Sequence, residues 1–293
     1  MFYIIYPLLY LLSLLPFFIL YGLSDLVSFL LYHVFKYRKD VVAKNLLIAF
    51  PDKTEEERKK IGRKFYQYFT DSFVEILKFI SISKKQINKR TDGTYDIINK
   101  LLAEGKSVNL LCGHQFNWEY ANLLYSYQLS VPFITVYLPI KNKAFDKIMY
   151  KIRTRFGAIL VNTGNFGAKM SQLIKNRYAL VLAADQSPAA PGSGYWINFF
   201  GRPTVFLPGP EKSAIRYKAA VVFVGFKRVK RGHYRFESVL LTDDATKVAS
   251  RGQLTNLYKD ALEKAIQEDP ANYLWSHKRF KFEWAPEYGN VLV

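Results

Sequence analysis

The sequence predicts an α/β fold: a central mixed, partly parallel sheet flanked by helices, preceded by an N-terminal membrane helix. Three observations carry this expectation. Between Asp96 and Ala184, apolar runs of strand length alternate with stretches of helical length, as in β-α-β units. The first 31 residues are strongly apolar, with no charge before Asp25, and are long enough to cross the hydrocarbon core of a bilayer. The chain has 293 residues, half of them hydrophobic, enough for one large domain and an appendage.

Taken in order, Met1 to Leu31 has no basic segment before it and no small-residue cleavage site, which argues against a removable signal peptide. Pro7 and Pro16 would kink a helix. A single span, a helical hairpin lying in one leaflet and a buried helix of a soluble domain all fit. Lys36, Arg38, Lys39 and Lys44 follow, and the positive-inside tendency then places the bulk of the chain in the cytoplasm. The expected division is a membrane anchor over 1–35 and a cytoplasmic-side domain over 36–293.

Residues 40–50 read as an amphipathic helix stopped at Pro51. Thr54 to Glu57 is a capping-box pattern. It opens a long helix to about Phe79, whose basic residues form a solvated face with some within reach of lipid headgroups. After a basic turn at 84–90, helices are predicted over 96–104, 117–128, 143–156, 167–175 and 253–268. Strands are predicted over 108–112, 133–137, 158–161, 179–184, 219–227 and 234–240.

Composition narrows the function classes. Net charge is +18, from 42 basic and 24 acidic residues, which suits an anionic partner: nucleic acid, an acidic protein or anionic lipid. One cysteine, Cys112, excludes an internal disulfide framework and a Cys-rich zinc site, and is expected to pack in the core. No Gly-x-Ser-x-Gly elbow, Walker loop or Gly-x-Gly-x-x-Gly fingerprint occurs. No His/Cys pair has zinc spacing, so no metal site is expected.

The stretch that carries chemistry is Val108 to Tyr120. A short apolar strand is broken by Gly113; His114 follows, then Asn117 as a helix N-cap, then Glu119. On one continuous helix, residues five apart are turned by roughly 500° and share no face. They meet only if His114 sits at the strand-to-helix turn and Glu119 on the first helical turn. The carboxylate would then hold one ring nitrogen and leave the other to accept a proton, the logic of an oriented base. The bland reading is a surface or core histidine. Of the four His, only His114 combines an apolar strand, a glycine and a carboxylate at this spacing.

Other stretches are open. Asp185 and Gln186 end a strand where α/β sheets place ligand groups. The aromatic segment Tyr195 to Gly201 fits either an acyl groove or an ordinary strand pair on the core. Arg153 and Arg155, at a helix end, fit a phosphate clamp, an oxyanion stabiliser or a cap on helix carbonyls. Tyr273 to Lys281 is a basic-aromatic cluster without a recognised nucleic-acid motif.

At these residues the chain resembles the late acyltransferases of lipid A biosynthesis, the lauroyl/myristoyl transferase family of Gram-negative inner membranes. The match includes Asn45-Leu46 to Phe50-Pro51 followed by Glu57-Arg58, Gly113-His114 with Asn117-Trp118-Glu119, and Ala184-Asp185-Gln186 followed by Phe199-Phe200-Gly201. It ends with Tyr273, Trp275, His277 and Arg279-Phe280-Lys281. Many relatives carry Phe-Gly where this chain has Gln115-Phe116. The resemblance implies a glycerol-3-phosphate-acyltransferase-like fold at the cytoplasmic side of the inner membrane. It implies transfer of an acyl group from acyl-carrier protein to a hydroxyl on a lipid A precursor, with no cofactor beyond the carrier thioester. It implies His114 as general base, Glu119 as its partner, and Asn117, Arg153, Arg155, Asp185 and Gln186 as substrate-binding residues. The expected partners are acyl-carrier protein, a lipid A precursor or related lipid and an anionic membrane, with no nucleic acid. The net charge suits all three. Rival readings are transfer to another lipid acceptor (a lysophospholipid, glycolipid or aminolipid), and a non-catalytic lipid-binding membrane protein.

Overall fold

The computed structural model describes residues 2–93 and 95–292. Met1, at the start of the expected anchor, Thr94, and Val293 at the end of the expected domain lie outside the described residues.

The N-terminal apolar segment is two helices, α1 (Phe2–Leu14) and α2 (Phe17–Phe29). Pro16 separates them, because it lacks an N–H to donate and restricts the residue before it. A π-helical turn, Leu30–Val34, prolongs α2. Phe17–Val34 is long and apolar enough to cross a membrane by length and composition. One face of α2 is nevertheless laid along α4 (Glu55–Lys78), which begins with the expected Thr54–Glu57 capping box. The Tyr21 hydroxyl donates to Glu75 (2.8 Å) and the Ser24 hydroxyl to Asp71 (2.6 Å). At the other helix, Lys78 Nζ donates to the Leu15 carbonyl and the Ser81 hydroxyl to the Ser13 carbonyl, at 2.9 and 2.8 Å. The opposite faces of α1 and α2 stay exposed, with Leu8, Leu11, Phe18, Leu23 and Leu26 among the side chains there.

Between these helices and the sheet come α3 (Lys39–Ala49) and α5 (Lys84–Asn88). The second was expected to be a turn, but Ser83 and Gln86 form a capping box that starts a helix. The sheet has seven strands: β1 (Thr91–Gly93), β2 (Val108–Cys112), β3 (Phe133–Tyr137), β4 (Ile159–Asn162), β5 (Ala179–Ala183), β8 (Ala220–Lys230) and β9 (His233–Thr242), in the order β1-β9-β8-β2-β5-β3-β4. It is mixed and mostly parallel. Strands β4, β3, β5, β2 and β8 run in one direction, and the β8–β9 pair is antiparallel. The crossover helices are α6 (Asp96–Ala103), α7 (Trp118–Gln128), α8 (Lys143–Arg153), α9 (Phe166–Leu173) and α10 (Gly209–Arg216), and α11 (Gln253–Glu268) follows the last strand and packs on β8. Strand β2 is buried at every residue, as a central parallel strand covered on both faces must be. Helix α8 stops three residues short of Phe156, because Gly157 turns the chain with φ 109°. The aromatic segment forms a separate antiparallel ribbon, β6 (Tyr195–Phe199) with β7 (Arg202–Phe206).

A buried ionic cluster joins the N-terminal helices to this frame. Asp71, fully buried, takes Arg228 at 2.6 Å and Arg231 at 2.7 Å, and Arg231 also reaches Asp25 at 2.7 Å. A pair of opposite charges held out of water is tolerable only with this degree of hydrogen bonding.

Candidate active site

The site forms where adjacent parallel strands end. Strands β2 and β5 pair in the register Cys112↔Ala183. Two residues beyond each lies the pair His114 and Asp185, so strand register sets these side chains opposite one another. The His114 backbone N–H donates to Asp185 Oδ2 (3.1 Å) and ring Nδ1 lies 2.5 Å from Asp185 Oδ1. Asp185 is buried at 2% exposure, whereas the His114 side chain keeps 18%. The dyad therefore has a sealed anionic end and an imidazole that reaches the surface.

Burial alone would lower the His114 pKa. The Asp185 carboxylate, with a further contribution from Glu119, outweighs it and lifts the ring above its ordinary value. Burial alone would likewise raise Asp185, but His114 pulls it down to about 2. The Arg279 guanidinium acts in the same direction on Asp185. On the ring's other side, Gln186 Nε2 lies 3.2 Å from His114 Nε2. With the Gln186 amide placed so that its N–H faces the ring, the contact pairs with an unprotonated Nε2 and a ring proton on the Asp185 side.

This geometry corrects the expected pairing of His114 with Glu119. Glu119 is buried on the first turn of α7 and is gripped by Arg153, whose Nε lies 3.0 Å from each carboxylate oxygen and whose Nη2 also donates to Oε1. The fork geometry of guanidinium and carboxylate explains why these two find each other. The ring is thus held by Asp185 and only feels Glu119 through its charge. Glu119→Gln is expected to leave Arg153 without its counter-charge and to cost about 3 kcal/mol of stability. An unchanged melting midpoint in thermal denaturation would show that the pair does not hold α7 against α8.

Two further expectations change. Arg155 does not reach the dyad: Nη1 donates to the Phe79 carbonyl (2.7 Å), at the end of α4, and its charge lies near Tyr6 and Tyr10 of α1. Asn117, expected to bind substrate, is buried at 1% and committed to structure. Its Oδ1 caps α7 at the Glu119 N–H (3.1 Å) and its Nδ2 donates to Glu75 (3.1 Å) and to the Ser72 carbonyl.

The C-terminal segment straps the site from outside the sheet. The Leu274 N–H donates to the His114 carbonyl (3.1 Å) and the Phe116 N–H to Asn272 Oδ1 (3.0 Å). Asn45 of α3 holds the carbonyls of Trp275 and His277. His277 Nε2 accepts from the Ser187 N–H (3.2 Å), just beyond Gln186. Burial drives the His277 pKa down to about 4, so at neutral pH it stays an acceptor. The basic-aromatic cluster thus braces the dyad's loop. Glu75 was missed in the sequence. The available signal is two carboxylates, Asp71 and Glu75, four apart on the inward face of α4. Around the dyad, Trp118 meets the His114 ring edge-on at 5.1 Å and stacks on Phe116 at 6.0 Å. Among the described residues no group of His, Cys, Asp and Glu has an arrangement that could hold a metal ion.

The family model described as "bacterial lipid A biosynthesis acyltransferase" matches residues 1–282. The chain is 26% identical over 251 residues to a lipid A biosynthesis acyltransferase of Haemophilus influenzae, covering 83% of this chain and 76% of that protein. It is 22% identical over 248 residues to a lipid A biosynthesis palmitoleoyltransferase of Escherichia coli, covering 84% and 79%. It is 22% identical over 275 residues to a lipid A biosynthesis lauroyltransferase of Escherichia coli, covering 93% and 89%.

Proposed function

Because the chain belongs to the bacterial lipid A biosynthesis acyltransferase family, we propose that it moves a fatty acyl chain from acyl-carrier protein to a hydroxyl of a lipid A precursor, with His114 as general base. The observation that carries the mechanism is the buried Asp185 carboxylate on Nδ1, which leaves Nε2 as the proton acceptor at the surface.

The acceptor hydroxyl displaces the Gln186 amide from Nε2 and gives its proton to the ring, while its oxygen bonds to the thioester carbonyl carbon. The carbon–sulfur bond then breaks, and the imidazolium returns the proton to the departing carrier thiolate. The transient imidazolium is stabilised by Asp185, as in other oriented imidazole bases. Arg153 has Nε and Nη2 engaged by Glu119. Its remaining Nη1 is the donor available for the tetrahedral oxyanion. Residues 1–35 anchor the chain to the inner membrane, and 36–293 form the catalytic domain at its cytoplasmic face. The exposed apolar faces of α1 and α2 support this attachment.

The test is purified full-length chain with radiolabelled acyl-carrier protein and a lipid A precursor in mixed micelles. An O-acylated precursor is expected. Acylation of a lysophospholipid instead, or thioester hydrolysis alone, would overturn the acceptor assignment. A pH series adds an independent readout. The base must be deprotonated, and Asp185 raises the ring above 6.5. The acid limb of kcat/KM should therefore lie above 6.5, with activity rising as pH increases through it.

A further inference from the structure

The loop between β3 and α8 leaves the sheet at the same edge as the dyad, because β3 runs parallel to β5, and β5 to β2. It is unusually apolar for a connection facing water. Leu138 and Ile140 are 76% and 41% exposed, and Phe145 and Tyr150, on the α8 helix that follows, are exposed too. Helix α1 rests against α8, with Lys147 Nζ over the Phe2 ring (4.4 Å) and Lys151 Nζ over the Tyr6 ring (4.1 Å). The loop therefore lies towards the N-terminal end of α1, which α8 carries alongside it. The charges along this margin are Lys141, Lys143, Lys147 and Lys151. The one acid among them, Asp146, accepts the Ile140 N–H at 2.8 Å and so shapes the loop from within. An apolar face rimmed by lysines, with the Lys147 and Lys151 ammonium groups over aromatic rings of α1, matches the depth profile of a bilayer: hydrocarbon first, phosphates above it.

We infer that Leu138 to Phe145 is a second membrane-inserting element, which together with α1 and α2 presses the His114 edge of the sheet onto a leaflet containing anionic phospholipid. This rests on the membrane attachment proposed above. An acidic carrier protein would meet the lysines but leave Leu138, Ile140 and Phe145 without an apolar partner of their own, so the bilayer is the occupant the surface fits.

The experiment uses the buried state of the sole cysteine, Cys112, which leaves an introduced thiol as the accessible labelling site. Leu138→Cys, Leu23→Cys on α2 and Lys247→Cys each carry an environment-sensitive fluorophore. Lys247 marks the opposite sheet edge: Ala245 bonds the Ala219 carbonyl beside the start of β8, which pairs with the start of β2. With vesicles of phosphatidylcholine and phosphatidylglycerol, the labels at 138 and 23 should shift to the blue and be quenched by doxyl-labelled acyl chains. The label at 247 should do neither. Leu138→Glu with Ile140→Glu should weaken vesicle co-sedimentation about tenfold, with the far-ultraviolet circular dichroism unchanged. A label that inserts at 23 but stays aqueous at 138 overturns the loop's role and leaves membrane attachment standing. Labels silent at both positions overturn the attachment as well. A response at 138 to acyl-carrier protein without vesicles assigns this face to the protein and overturns the inference.

Discussion

His114→Ala is expected to lower turnover in acyl transfer by about a thousandfold or more, measured as O-acylated product per enzyme in the micelle assay. The loss should fall on kcat, because in the proposed mechanism the ring acts on the proton in flight rather than on the resting lipid. The fold should survive: the side chain is partly exposed, and Asp185 keeps the backbone N–H of residue 114 and the Arg279 charge. Retained vesicle association with lost transfer would separate chemistry from attachment. Full activity in this variant would remove the imidazole from the mechanism.

Asp185→Asn is expected to be about as damaging, with a drop of roughly 10³–10⁴ in kcat. The substitution preserves shape but inverts the ring. Asparagine would use its carbonyl oxygen to accept the His114 backbone N–H and would turn its amide N–H toward Nδ1. The ring proton then sits on Nε2, and the nitrogen facing the acceptor hydroxyl can no longer take a proton. With the carboxylate gone, burial acts on the ring with less opposition, so the residual acid limb should move to lower pH than in the parent. Near-normal kcat in Asp185→Asn together with inactivity of an equally stable Glu119→Gln would return the orienting role to Glu119.

That exchange of partners marks where reading along the chain stops working. Strand β2, the Thr54 cap and the long final helix are legible because each depends on neighbours within a few positions: an apolar run, an acid three residues on, an uninterrupted helical period. His114 is legible for the same reason, as the residue after a glycine that ends a buried strand. The identity of its carboxylate is not local. It follows from β5, rather than β3, lying next to β2, and from the register Cys112↔Ala183 across 71 residues of chain. Spacing alone favours Glu119, yet Glu119 finds a better partner in Arg153 once α7 and α8 pack. The helix of residues 84–88 and the break at Pro16 lie within reach of local rules; the β6–β7 ribbon does not, since a pair of aromatic runs is compatible with several arrangements.

The lacing of α2 to α4 has a bearing on how the protein can be handled. Glu75 is wholly buried; burial drives its pKa up, while hydrogen bonds from Asn117, Tyr234 and Tyr21 pull the other way. One of those donors belongs to the N-terminal helix, and another caps the helix that carries Glu119. A fragment trimmed to begin after residue 35 would strip Glu75 of Tyr21, Asp71 of Ser24, and Arg231 of Asp25. It would also bare an oily seam along α4. The leading helices are thus a wall of the body that carries the His114–Asp185 dyad, and a fragment cut free of them is expected to be less stable and prone to aggregate.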